Sequence, residues 1–175
     1  MRFGLAGDTI SGMQPQGMPA VDRDFIRVAP SRISGQGVFA KRSIPRGTRI
    51  IEYTGERRTL ESLVMDAAAG METGVYLAHV HPGLSIDGSR NGNDARFINH
   101  SCSPNCELYV FDDRLYIYAM RDIAEGEELT FDYQLTQAPG LEAIDLPEKD
   151  VKCLCGSRNC RGTMLKTPNR SRSDV

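Results

Sequence analysis

Near its end the chain reads Cys153-Leu154-Cys155 and then Cys160, which places three thiols within eight residues. A structural zinc takes four soft ligands in a tetrahedron, so the cluster is one ligand short. Only Cys102 and Cys106 remain to supply the fourth, and either would clip the C-terminal segment onto the middle of the chain. That long-range closure constrains the fold more than any local pattern does. The cysteine count of five is odd, and Met1 to Ala20 lacks the continuous apolar stretch of a secretory signal, which argues for a reducing compartment and a metal site. A disulfide within the cluster is the minor alternative. Four thiolates leave no open position for water, so such a zinc is structural and hydrolytic metal chemistry is disfavoured.

The densest run of chemistry-bearing residues is Arg96-Phe-Ile-Asn99-His100-Ser-Cys102-Ser-Pro-Asn-Cys106-Glu107. Phe97 and Ile98 read as core anchors, Asn99 and His100 as donors and acceptors for a polar ligand, and Ser103-Pro104-Asn105 as a turn. Around this run the pattern is mostly that of strands. Asp24–Pro30 and Val38–Ala40 flank a turn at Ser34-Gly35-Gln36-Gly37, and the absence of Gly-x-Gly-x-x-Gly disfavours a Rossmann site. Val75–Val80, carrying Tyr76, and Leu84–Asp87 are short strands, and 108–111 with 115–118 form a hairpin about Asp112-Asp113-Arg114. Thr59–Gly70 is the helix, capped by Thr59, with Leu60, Leu63, Val64 and Ala67 at helical spacing. Arg42-x-Ile44-x-x-Gly47-x-x-Ile50 is echoed by Arg121-x-Ile123-x-x-Gly126-x-x-Leu129, and both copies lead to aromatic residues, Tyr53 in the first and Phe131 with Tyr133 in the second. Two similar β units would then deliver these rings to one place.

Three separated motifs, Arg96 to Cys102, Gly126-Glu-Glu-Leu-Thr-Phe131-Asp132-Tyr133 and the terminal cysteines, together resemble the SET-domain protein lysine methyltransferases over roughly 25–165. The resemblance implies a β-rich α+β fold of small antiparallel sheets, a C-terminal pseudoknot beside Asn99-His100 and a zinc-clipped post-SET segment. It implies S-adenosylmethionine as cofactor, held by Gly35, Gln36, Gly37, Tyr76, Arg96, Asn99 and His100, with Leu154 closing over it. Gln36 stands where the family often has an aromatic residue. By the same resemblance Tyr133 is the catalytic tyrosine, Tyr53 lines the lysine channel and Phe131 leaves room for di- or trimethylation. Zinc would be held by Cys102, Cys153, Cys155 and Cys160, with Cys106 a small buried hydrophobe. A zinc-stapled peptide-binding module without catalysis is the rival reading.

The expected organisation is a disordered leader at 1–23, the SET domain at 24–136, an acidic linker at 137–151, the zinc motif at 152–167 and a disordered tail at 168–175. A net charge of −2 gives no case for direct nucleic-acid binding, and no apolar run approaches the ~20 residues of a membrane span. The partner implied is a lysine-bearing protein or peptide, a histone or histone-like protein by the family's default. Glu125, Glu127, Glu128 and Asp132, and again Glu142, Asp145, Glu148 and Asp150, read as solvated acidic faces that a basic tail would find attractive. His79 and His81 read as surface strand residues. The expected location is intracellular, cytoplasmic in a bacterium, with a nuclear or chromosomal place left open, as is the oligomeric state.

Overall fold

The computed structural model describes residues 3–4, 25–71, 76–136 and 151–166. In order these contain β1 (Phe3–Gly4), β2 (Ile26–Pro30), β3 (Gln36–Ala40), β4 (Arg49–Tyr53), β5 (Glu56–Arg58), α1 (Leu60–Ala68), β6 (Leu77–His81), β7 (Leu84–Asp87), β8 (Asn99–His100), β9 (Cys106–Phe111), β10 (Arg114–Ala119), β11 (Glu128–Phe131) and β12 (Leu135–Thr136). A short 3-10 turn at Asp94–Phe97 leads into β8. The strands form small sheets ordered β2-β3-β11-β8, β4-β10-β9, β5-β7-β6 and β1-β12. The fold is mostly β, as the motifs imply. Most of the expected leader (1–2 and 5–23), nearly all of the expected linker (137–150) and the whole expected tail (168–175) lie outside the described residues.

The sequence echo becomes geometry at the two turns. Ile44 and Ile123 exchange backbone hydrogen bonds of 2.9 Å in both directions, and both side chains are fully buried. Gly47 donates its N–H to Ala119 and Gly126 to Ala40, each at 2.8 Å, and both glycines have φ of +79°. An L side chain rarely adopts that backbone, so glycine is required at matched points of the two turns. The partners are exchanged between the copies. β3, from the first hairpin, pairs with β11, whereas β10, from the second, pairs with β4. The buried residues Val38, Ile50, Leu115, Ile117 and Leu129 from these strands form the middle of the core.

The hairpin of β9 and β10 turns on two residues, Asp112 and Asp113, both at positive φ (51° and 55°), as its tight right-handed connection demands. Helix α1 starts where Thr59 Oγ1 accepts the Ser62 N–H and ends before Gly70, at φ +73°. Leu63 faces the core, but Val64 points outward, because α1 packs along a narrower stripe than its apolar spacing suggested. Tyr76 also lies just ahead of β6 and not within it.

β11 runs antiparallel to β3 but parallel to β8, pairing Thr130 with Asn99 and Phe131 with His100. This contact draws the Phe131-Asp132-Tyr133 segment against Asn99-His100, as expected of the pseudoknot. Asn105, 2% exposed, locks the crossing: its amide donates to Glu128 O (2.8 Å) and Glu127 Oε1 (2.9 Å), while its Oδ1 accepts the Thr130 N–H (2.8 Å). All these polar atoms find partners, which is what allows them to be buried.

Candidate active site

A cleft of about 580 Å³ opens between the glycine turn, the segment before β6, the β8–β11 pair and the cysteine segment. Gly35, Gln36, Tyr76, Arg96, Asn99, His100 and Leu154 all line it, together with Tyr53, Phe131 and Tyr133. The two similar β units do bring their aromatic residues to one place. The ring centroids of Phe131 and Tyr133 lie 5.0 Å apart, and Tyr133 meets His100 edge-on at 5.3 Å.

Gly37 is the exception among the expected cleft residues. It does not line the cleft; a Cβ there would lie 2.4 Å from Glu128 Oε1 and 2.9 Å from Ser31 Cβ. Its small size serves the packing of Glu128 against the turn. Glu128 accepts from Ser31 Oγ (2.7 Å) and from Asn99 Nδ2 (2.9 Å). Asn99 Nδ2 also reaches the carbonyls of Ser34 and Gln36, at 3.2 and 3.0 Å. The Asn99 side chain is therefore directed at the protein: it holds the Ser34–Gln36 turn in place from behind.

His100 is directed inward too. Its Nδ1 accepts the Tyr133 N–H at 3.1 Å, which leaves the proton on Nε2, 3.4 Å from Cys102 Sγ. Burial lowers its pKa to about 4, against Asp132, which raises it, and with Arg161, which lowers it. With both nitrogens hydrogen-bonded, the ring fixes the Tyr133 backbone. Tyr133 Oη donates to Ile98 O at 2.9 Å. Tyr53, 4% exposed, donates to Tyr76 O at 2.7 Å, and burial pushes its pKa up, so it stays protonated.

Arg96 points its Nη1 at Gly88 O (3.2 Å) and lies over the Phe97 ring at 4.6 Å, while its buried Nε has no hydrogen-bond partner among the described residues. A buried donor left without a partner is costly and marks a place where a polar ligand group is expected.

The terminal cysteines come together as anticipated. The Sγ atoms of Cys102, Cys153, Cys155 and Cys160 all lie within 4.8 Å of one another, with 3.6 Å between Cys102 and Cys153. Ligands 2.3 Å from a zinc at tetrahedral angles stand roughly 3.8 Å apart, so the donor set fits that ion. Backbone N–H groups of Cys102, Cys155, Arg161 and Gly162 point at these sulfurs at 3.4–3.5 Å, as thiolate ligands require. Cys106 is 1% exposed and outside the cluster; burial pushes its thiol up to about 12, which makes it inert.

The acidic residues are a correction. Glu127 is paired with Arg121 and Asn105, Glu128 holds the glycine turn, and Asp132 takes both arms of Arg161 at 2.7 and 2.8 Å. Of the first cluster only Glu125 is freely exposed; these carboxylates build the site and offer little to a basic tail. The second cluster, Glu142 to Asp150, lies outside the described residues. His81 is exposed as expected, whereas His79 is half-buried beside Ser85.

Comparison with known proteins decides the family: the SET domain model matches residues 35–134, more than half of the chain. This chain belongs to the SET-domain family. It is 39% identical over 136 residues to the histone-lysine N-methyltransferase ash1 of Drosophila melanogaster, covering 74% of this chain and 6% of that protein. Identity is 35% over 161 residues to the histone-lysine N-methyltransferase mes-4 of Caenorhabditis elegans, with 81% and 17% covered. For the histone-lysine N-methyltransferase trithorax of Drosophila virilis it is 33% over 166 residues, with 91% and 4% covered. The chain thus spans at most about a sixth of the length of these relatives. No helix among the described residues of this SET domain is long and apolar enough to cross a membrane.

The sequence reading missed three of the site's supports. Asn105 reads as part of a turn, and neither Arg161 nor Gly88 stands out in the sequence. The spacing of Arg161 beside a metal-ligand cysteine was a usable signal; Asn105 and Gly88 gave none.

Proposed function

We propose that this SET domain is a protein-lysine N-methyltransferase that takes its methyl group from S-adenosylmethionine and delivers it to a lysine side chain of a protein, a histone or histone-like protein being the favoured class. The observation that carries this reading is the convergence of Tyr53, Phe131 and Tyr133 with the Ser34–Gln36 turn and Arg96 around one cleft. The family match and the similarity to three histone-lysine N-methyltransferases support it.

When bound, the cofactor supplies an electrophilic methyl on a cationic sulfonium. The residues that would hold it are Gly35 and Gln36 of the turn, Tyr76, and Arg96, whose unpartnered Nε suits a carboxylate. Asn99 acts through the turn, and His100 through Tyr133. Leu154, 59% exposed at the cleft's rim, is free to cover a ligand. Zinc at Cys102, Cys153, Cys155 and Cys160 would be structural, holding Lys152, Leu154 and Met164 in the cleft wall.

The acceptor must be a neutral amine. A lysine of ordinary pKa, near 10.4, loses its proton at neutral pH at a cost of about 4–5 kcal/mol. A channel walled by Tyr53, Phe131 and Tyr133 excludes water and disfavours the ammonium form by desolvation. The same rings restrict the amine's approach, which converts binding into alignment. Phe131 adds no hydroxyl to this space and so permits amines that already bear methyl groups.

The test is incubation with labelled S-adenosylmethionine and core histones, histone-like proteins and cell lysate, with Tyr133→Phe alongside. Label on lysine that falls by two orders of magnitude in the variant is the expected result. Cofactor binding by calorimetry with no transfer to any acceptor would favour the non-catalytic peptide-binding module. Phe131→Tyr is expected to shift products toward monomethyl-lysine, and an unchanged product distribution refutes that role.

A further inference from the structure

Gly88 follows β7 and touches three cleft residues at once. Its N–H donates to Tyr76 O at 2.8 Å, the carbonyl that also receives the Tyr53 hydroxyl at 2.7 Å, and its own carbonyl accepts from Arg96 Nη1 at 3.2 Å. A Cβ at this position would stand 2.7 Å from Tyr53 Oη, 3.2 Å from Tyr53 Cζ and 3.2 Å from Arg96 Cβ. The hydroxyl therefore occupies the space that a side chain at 88 would need.

The backbone there is closely packed. A Cβ at Gly55 would lie 2.2 Å from Asp87 O, and one at Gly92 would lie 2.0 Å from Gly88 O, so two further glycines sit against the peptides before and after Gly88. Gly88 itself does not have positive φ, so alanine would meet only a steric objection there, with no backbone strain. Tyr53 is 4% exposed, pairs with Leu115 of β10 and lines the cleft. A group added at 88 would meet its hydroxyl first.

We propose that Gly88 is a positioning residue that sets the depth of the methyl-acceptor channel by letting the Tyr53 hydroxyl withdraw onto Tyr76 O. This deepens the methyltransferase reading and rests on it. A bare hydrogen at 88 keeps the channel wide; a methyl group there advances Tyr53 Oη by several tenths of an ångström into room that an alkylated amine would use.

The experiment is a double-mutant cycle of Gly88→Ala and Tyr53→Phe, reading kcat/KM and the mono-, di- and trimethyl product ratio by mass spectrometry. Gly88→Ala is expected to lower kcat/KM about tenfold and move products toward monomethyl-lysine. In the Tyr53→Phe background, where the hydroxyl that a Cβ at 88 would meet at 2.7 Å is gone, the same Gly88→Ala change should cost no more than about threefold and leave the methyl-state ratio unshifted. An alanine variant that behaves as the parent, or a loss that Tyr53→Phe leaves untouched, overturns the proposal. Tyrosine-labelled NMR spectra of the parent, Gly88→Ala and Tyr53→Phe proteins keep the two readings apart. If the parent transfers no methyl group at all, the methyltransferase reading fails. The positioning of Tyr53 then stands or falls on whether the ring signal missing from the Tyr53→Phe spectrum shifts in Gly88→Ala.

Discussion

The two halves of the core are built to one plan and supported differently. Each consists of a hairpin, a turn with glycine at φ +79° and a strand that leads to an aromatic residue of the cleft: β2, β3 and β4 in the first, β9, β10 and β11 in the second. The first half delivers Tyr53 and the second Tyr133. Of the two strands that lead to these tyrosines, β4 pairs with β10 alone among the described residues, whereas β11 pairs with both β3 and β8. The second half is pinned by Asn105 from within and by Arg161 from the cysteine segment. Tyr53 instead is held by its own hydroxyl on Tyr76 O, beside Gly88. One scaffold thus yields a tyrosine whose strand is pinned from two directions and a tyrosine held at its ring's far end.

The largest expected effect breaks this asymmetry at the clip. Cys153→Ser should abolish stoichiometric zinc, measured by elemental analysis, and lower methyl transfer by about a hundredfold or more, since the cleft wall from Lys152 to Met164 depends on it. A variant that binds zinc and turns over as the parent does would remove the clip from the account. Next comes the tyrosine pair. Tyr133→Phe is expected to reduce kcat by about 10²–10³, the range for removal of one oriented hydroxyl or amide donor in an active site, while Tyr53→Phe should cost roughly tenfold. Equal losses would mean that the two tyrosines share one role.

Asn105→Ala leaves the Thr130 N–H and Glu128 carbonyl buried without partners and should cost about 2–3 kcal/mol in urea unfolding. The turns offer a sharper comparison. Gly47→Ala and Gly126→Ala should each cost about 1–2 kcal/mol from the positive φ alone, and matched values are the outcome that sustains the equivalence of the halves. A difference larger than the sum of the fitting errors would end it.

The smallest effect separates the two turns by acid. The Arg121 guanidinium holds the Glu127 carboxyl below its ordinary value of 4.5, with burial opposing and Asn105 and the Ala124 N–H assisting. A depressed carboxylate contributes stability that is present above its unfolded pKa and lost as pH falls through the folded value. The matched residue of the first turn, Thr48, does not ionise. Glu127→Gln should therefore flatten the slope of stability against pH below about 4.5 while leaving the neutral-pH slope unchanged, as read from unfolding midpoints across an acid series.

Much of this was legible in the chain because it was carried by residue types with few alternative uses. Three cysteines within eight residues demanded a fourth, the echoed Arg-x-Ile-x-x-Gly turns announced two similar units, and the aromatic ends of both units pointed to one place. The internal exchange of strands between halves was not legible, since β3 reads equally well beside either β4 or β11. The neighbours of Gly37, Asn99 and His100 were not legible either: a sequence lists an amide or a missing Cβ without saying which residue it faces. Asp132 and Glu128 looked like solvated charge for the same reason, as their partners Arg161 and Asn99 are far off along the chain.

The exchange of strands also governs how the molecule is made. A hairpin of β2 and β3 leaving the ribosome has no sheet to join until β11, some ninety residues later, has been synthesised, and β4 waits likewise for β10. Neither half is an autonomous folding unit, and the loops that must close first are long, which slows the search for the native pairing. Nascent chains of this SET domain therefore present unpaired strand edges until the second turn arrives, the kind of edge on which wrong pairings form.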